Sequence, residues 1–198
     1  MSAHPFILAS GSQIRQSLLR NAGVDFTVAV SRVDEAAIKA RHAGTGPDEL
    51  ALILAEAKAK AVSANHPGAL VLGADQILSL DGVMYDKAEN RADARNRLAD
   101  LRGKTHGLHG GLAALRDGQT VWTHSETSLL TVRAFSDAFL ESYLDQAGDE
   151  LTASVGSYAY EGLGAQLFEE IKGDYFAILG LPLLPVLAML REEGVLAS

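Results

Sequence analysis

The sequence predicts a mixed α/β fold with a cleft, on three observations. Helical and extended patterns alternate through the first half of the chain, and a hairpin-rich region follows. Of the 198 residues, 47% are hydrophobic, ample for one core and for a single domain over 1–198. No internal repeat, low-complexity segment or long linker divides the chain.

Composition excludes several classes. There is no cysteine, so disulfides, thiolate metal sites and a cysteine nucleophile are ruled out, as fits a cytosolic protein. The N-terminal MSAHPFILAS lacks the basic segment and long apolar run of a signal peptide. The longest apolar run, residues 176–190, is broken by Gly180, Pro182 and Pro185, and falls short of the ~20 residues of a membrane span. A formal net charge of -8 argues against a nucleic-acid binder, which wants a broad basic face. It does not argue against a phosphorylated small molecule, which needs only a few well-placed cations.

The elements follow in order. Residues 6–9 form an apolar run, read as the first strand, and Ser10-Gly11-Ser12 leads into a helix over 13–22. Ser12 is its N-cap and Gly23 its stop. A strand that runs through small residues into a helix N-terminus presents free N–H groups to an anion. Arg15 in the first turn opposes the helix dipole; a nearby phosphate would explain it, and an exposed arginine on a tolerant surface is the alternative. Residues 26–30 give a second strand. Asp34 and Glu35 follow in what reads as a loop, where paired acids are usually solvated but can also hold a divalent metal. Pro47 opens a helix running to about Ser63, with Leu50, Ile53, Leu54, Ala57 and Ala61 on one face. Lys58 and Lys60 lie off that stripe.

The richest stretch is 70–87, LVLGADQILSLDGVMYDK. An apolar run ends at Gly73-Ala74-Asp75, and an ionised carboxylate at the end of a buried strand needs a metal, a cation or hydrogen bonds. Alternation then resumes through Leu80, Asp81-Gly82 marks a hairpin turn, and Asp86-Lys87 closes the return strand. Taken singly, Asp75 reads as a turn residue and Lys87 as a solvated lysine. Asp75, Gln76 and Lys87 together on one short unit point to a site.

A helix over 91–101 stops at Gly103. Gly103-Lys104-Thr105 imitates the end of a P-loop, but Leu98 stands where that pattern needs glycine and no strand precedes it. His106 and His109 fall on opposite faces of a strand start, which disfavours a shared metal. Residues 110–115 and 120–133 form a hairpin around Arg116-Asp117-Gly118, and Ser136 caps a helix. Residues 155–164, VGSYAYEGLG, carry a lone acid, Glu161, among glycines that let backbone approach a ligand. A strand over 167–171, a turn at Lys172-Gly173-Asp174 and a last helix from Pro182 complete the chain.

Several of these stretches resemble the Maf family of nucleotide pyrophosphatases, in register over nearly the whole chain. They are ILASGSQIRQSLLRNAGVDF, LAEAKAKAV, VLGADQILSLDG, the Asp86-Lys87 pair, LRGKTH, EGLG, the Lys-Gly turn and GLPL. The resemblance implies a strongly twisted mixed sheet with flanking helices, in two lobes around a nucleotide-binding cleft. It implies hydrolysis of nucleoside triphosphates between the α and β phosphates. Asp75 would be the general base or metal-linked carboxylate, with Arg15, Lys58 and Lys87 gripping the triphosphate and Ser10 and Ser12 adding neutral donors. Glu35 would join Asp75 in holding a divalent cation, magnesium or manganese. A cytoplasmic homodimer with a house-cleaning role is the family expectation.

The departures from the family pattern are specific. Gln13-Ile14 replaces Pro-Arg, Gln76 replaces threonine, Glu161 replaces glutamine, and Asp86-Lys87-Ala88 replaces Gly-Lys-Pro. Together they are similar to the branch acting on 7-methyl-GTP. A carboxylate at 161 can accept both N–H donors of a guanine edge, which gives Ile14, Gln76 and Glu161 as the expected base pocket. The rival reading is a nucleotide-binding regulator of septum formation without significant turnover.

Overall fold

The computed structural model describes residues 5–197; Met1–His4, the start of the stretch read as lacking a signal peptide, and Ser198 lie outside them. In chain order the elements are β1 (Phe6–Leu8), α1 (Gln13–Asn21), β2 (Thr27–Val28), α2 (Glu35–Arg41), α3 (Pro47–Ser63), β3 (Leu70–Leu80), β4 (Val83–Tyr85), α4 (Arg91–Leu101), β5 (Thr105–Arg116), β6 (Gln119–Val132), α5 (Asp137–Ala147), α6 (Glu150–Ala153), a 3-10 turn (Leu163–Leu167), β7 (Phe168–Lys172), α7 (Tyr175–Ile178) and α8 (Leu183–Glu192). The fold is mixed α/β: a seven-stranded sheet in the order β2-β1-β3-β5-β6-β7, with β4 also paired to β3. Strand β1 runs parallel to β2 and β3, whereas β4 is antiparallel to β3 and β7 to β6. Both short hairpins turn at Asp-Gly as expected, with Asp81 and Asp117 at φ 51° ahead of Gly82 and Gly118 at positive φ.

The chain divides into two compact units. The first takes the described residues of Met1–Gln76, Gly110–Glu126 and Tyr175–Ser198. One side of its sheet packs Phe6, Leu8, Leu70, Leu72 and Leu112 against Leu19 of α1 and Val186 and Leu190 of α8. The other packs Ile7, Val71 and Leu115 against Ala55, Ala59 and Val62 of α3. The second unit takes Ile77–His109 and Thr127–Asp174. Its interior holds Leu98 and Leu101 of α4, Leu140, Tyr143 and Leu144 of α5, and Tyr158.

Four local expectations are corrected. Strand β3 does not end at Gly73-Ala74-Asp75; it runs unbroken for 11 residues, parallel to β1 at its start and antiparallel to β4 at its end. Gly73 is there for a different reason. A Cβ on it would collide with the carbonyl of Ala55 and lie 2.9 Å from the Ala59 nitrogen, and one on Gly111 would strike the backbone of Ala51 and Leu52. Helix α3 therefore lies directly on the sheet backbone. Its buried face is Ala51, Ala55 and Ala59 with Leu50, Leu54 and Val62, whereas Ile53 and Ala57 are half-buried and Ala61 is exposed. Asp34 and Glu35 are not in a loop: Asp34 caps α2, its carboxylate accepting from Ala37 N at 2.9 Å, and Glu35 is the first helical residue. Strand β5 begins at Thr105, and the short helices α6 and α7 had no visible periodicity in the sequence.

The two strand histidines have separate partners, as their spacing required. His109 shares hydrogen bonds with Ser79 Oγ (2.7 Å) and Thr127 Oγ1 (3.1 Å). His106 is 1% exposed and meets Tyr158 Oη at 2.7 Å; burial pushes its pKa down to about 4. Gly103-Lys104-Thr105 is no phosphate loop: Lys104 pairs with Asp81 at 3.2 Å just ahead of β5.

Candidate active site

The centre of the first unit's polar cluster is Asp75, 8% exposed within β3. Helix α3 supplies its partner. Because the helix sits on Gly73, Lys58 reaches Asp75 Oδ1 at 2.5 Å and Glu35 Oε1 at 2.9 Å. The Lys58 side chain is only 12% exposed, while Lys60, two positions on, is exposed. Two carboxylates therefore hold one ammonium still at the edge of the core. Buried charges persist when they are paired in this way.

Arg15 is fixed next to this pair. Its Nε donates to the Gly180 carbonyl at 2.8 Å, and Nη1 donates to the Ala74 carbonyl at 2.8 Å and to Ser10 Oγ at 3.2 Å. These bonds use Nε and both hydrogens of Nη1, which leaves the Nη2 hydrogens for another acceptor. Burial lowers the guanidinium pKa, and the charges of Asp75 and Glu35 oppose that shift. Ser10 Oγ also accepts from Ser12 N at 3.3 Å. With both lone pairs engaged, the Ser10 hydroxyl has its own hydrogen left to donate. Ser12 caps α1, accepting from Arg15 N at 3.5 Å, and Ile14 is half-buried in the same first turn.

Gln76 follows Asp75 and takes a different task. Its amide nitrogen donates to the carbonyls of Ala177 (3.0 Å) and Ile178 (3.3 Å) at the end of α7. This fixes the orientation of the amide and leaves its Oε1 as the group still able to accept. So Ser10, Ser12, Ile14, Arg15, Glu35, Lys58, Asp75 and Gln76 all belong to the first unit. Lys87, just after β4, and Glu161, just before the 3-10 turn, are exposed residues of the second unit.

The donor set also bears on a metal. Among the described residues no group of three or more His, Asp or Glu side chains is arranged to hold a metal ion. Asp75 and Glu35 alone make two carboxylates, and both already face Lys58. That set fits a magnesium-type ion, which is commonly held by one or two carboxylates with substrate phosphates completing its shell.

Comparison with known proteins gives the family. The family described as Maf-like protein matches residues 5–193. The chain belongs to the Maf family. Relatives named nucleoside triphosphate pyrophosphatase extend the match. The one from Maricaulis maris is 60% identical, covering 96% of this chain and 97% of its own. That from Paramagnetospirillum magneticum is 53% identical, covering 96% and 99%. That from Rhodospirillum rubrum is 51% identical, covering 98% and 97%. As in the sequence reading, no helix among the described residues is long and apolar enough to cross a membrane.

Sequence reasoning about this Maf chain missed the residues that hold the site rather than form it. Gly73 and Gly111 set the height of α3 over the sheet, and the signal for them was the Ala51-Ala55-Ala59 ridge. The backbone acceptors at Ala74 and Gly180 that fix Arg15 had no signal, because a carbonyl carries no side-chain code.

Proposed function

We propose that this chain hydrolyses nucleoside triphosphates between the α and β phosphates, releasing pyrophosphate, with 7-methyl-GTP as its preferred substrate. The observation that carries the reaction is the ammonium of Lys58 pinned between Asp75 and Glu35. The curated Maf relatives are named for the same pyrophosphatase activity.

In this reading the triphosphate meets groups that do not have to reorganise. Lys58 and Arg15 are held by fixed oxygens, and Ser10 donates its remaining hydrogen. Lys87 is the further cation that the family resemblance assigns to the phosphates. Asp75 and Glu35 would hold a divalent cation, magnesium or manganese, arriving on the phosphates; when bound, it would neutralise phosphate charge and make water easier to deprotonate. Asp75 takes the proton of the attacking water, and pyrophosphate departs from the nucleoside monophosphate. The base preference rests on Ile14, Gln76 and Glu161 where the wider family has other residues; Gln76 offers an acceptor, and the exposed Glu161 a carboxylate suited to a cationic methylated guanine.

The test is a product assay with magnesium or manganese on 7-methyl-GTP, GTP, ATP, dTTP, UTP and CTP, scoring pyrophosphate and orthophosphate separately. Wild type is expected to release pyrophosphate chiefly from 7-methyl-GTP, and Asp75→Asn to lose at least about 100-fold in rate while still binding nucleotide. Pyrophosphate chiefly from dTTP or UTP would keep the reaction and discard the base pocket. Nucleotide binding without turnover would establish the regulatory reading instead.

A further inference from the structure

Helix α4 buries Ala94, Leu98 and Leu101, and with them Arg97, a charged residue on the apolar stripe. Arg97 is 8% exposed. A guanidinium this deep is costly unless its neighbours compensate it. Its compensation comes from a backbone oxygen and a ring: Nη1 donates to the Val155 carbonyl at 2.5 Å, and Cζ stands 5.1 Å from the centre of the Tyr85 ring. Its Nε is buried without a partner. Burial lowers its pKa, and Tyr85, Asp86, Asp93 and Asp100 oppose that shift.

Both contacts fall on segments that carry expected site residues. Tyr85 ends β4, two positions before Lys87. Val155 opens the turn-rich stretch that leads to Glu161. Asp100, three residues along the same helix, takes the Tyr85 hydroxyl at 3.5 Å, so α4 holds that ring by its face and by its edge. The 155–164 stretch needs such support. Ser157 sits at φ 60°, a strained backbone for a residue with a Cβ, and Tyr143 Oη reaches its carbonyl at 3.4 Å.

We propose that Arg97 is a positioning residue: one buried guanidinium ties the strand end that presents Lys87 to the turn that presents Glu161. This rests on the reading of Lys87 and Glu161 as substrate-contacting residues. The geometry predicts how the two halves separate. A lysine at 97 keeps a donor for the Val155 carbonyl but loses the flat face over Tyr85. A methionine keeps the apolar stem and loses both.

The experiment compares wild type with Arg97→Met, Arg97→Lys and Tyr85→Leu, by hydrogen exchange and by nucleotide kinetics. In Arg97→Met, exchange is expected to quicken about tenfold in both 83–87 and 155–164, with β1 unchanged. KM for the triphosphate is expected to rise about tenfold while kcat falls less than about threefold. Arg97→Lys restores protection in 155–164 only, and Tyr85→Leu loosens 83–87 only. If Arg97→Met does not fold, the last two variants decide the matter by the same segment-by-segment readout. Unchanged exchange in both segments overturns the inference. So does a uniform loss of protection across the second unit with KM as in wild type, since that is the behaviour of a purely structural arginine. A wild type without pyrophosphate release would refute the proposed function instead, and the exchange pattern would still judge the tie.

Discussion

At Lys58 the site and the stability of the fold rest on the same atoms. Its ammonium lies between Asp75 and Glu35, and the Lys58 and Asp75 side chains are both nearly enclosed. Removing one member of such a pair leaves the other charge buried and uncompensated. Lys58→Met is therefore expected to lower stability by about 3 kcal/mol as well as to abolish turnover. Asp75→Asn, which leaves an amide able to hydrogen-bond, is expected to be milder. The double variant Lys58→Met/Asp75→Asn is expected to recover part of the loss, because the stranded carboxylate is gone. Urea titrations of the three variants measure this; additive losses would show that the pair is not coupled. The chemistry of these residues was legible in the sequence, since Asp75 next to an apolar run demanded compensation. The pattern alone did not say which lysine supplied it; the family resemblance singled out Lys58. Lys58 and Lys60 are equivalent in pattern, and only the seating of α3 on the sheet turns one inward and leaves the other in solvent.

At the scale of elements, α3 and β3 form one device. The sequence reading ended the apolar run at Gly73-Ala74-Asp75, whereas Gly73 lies inside an unbroken strand and clears space for a helix backbone. The helix stripe was likewise placed on Ile53, Ala57 and Ala61, since α3 carries alanines on several sides and only the close approach at Gly73 and Gly111 turns Ala51, Ala55 and Ala59 inward. By contrast, the caps at Ser12 and Ser136 and both Asp-Gly turns were readable, because each signal is local and chemical. Gly73→Ala tests the device. The added methyl has backbone on its far side and nowhere to go, so a loss of about 1–3 kcal/mol is expected. Because Ala59 adjoins Lys58, turnover should fall further than stability alone explains. Gly46→Ala at the start of α3, where nothing lies within 4 Å, is the control and should remain within about 0.5 kcal/mol. Equal stability of the two variants would refute the close-approach argument.

For the molecule as a whole, net charge and buried charge pull in opposite directions as the pH falls. At pH 7 the formal charge is -8, so acidification toward pH 5 brings the chain nearer neutrality and weakens its self-repulsion. On that ground alone the fold should gain stability. His106 reverses the expectation. Its folded pKa is lowered to about 4 from an ordinary 6.5, because the imidazole is enclosed against Tyr158 and its Nδ1 is buried without a partner. The unfolded chain thus binds a proton that the folded one refuses. The resulting stability is complete above the unfolded pKa and drains away as the pH falls from 6.5 toward 4, by about 2 kcal/mol on reaching pH 5. The urea midpoint of wild type should therefore drop between pH 7 and pH 5. His106→Gln keeps a polar partner for the Tyr158 hydroxyl and does not titrate. It should start less stable at pH 7 and lose much less on acidification, so that the two curves converge. Parallel curves would place the acid sensitivity elsewhere. Converging curves would identify one enclosed imidazole as the group that makes an acidic protein more fragile as its own charge is neutralised.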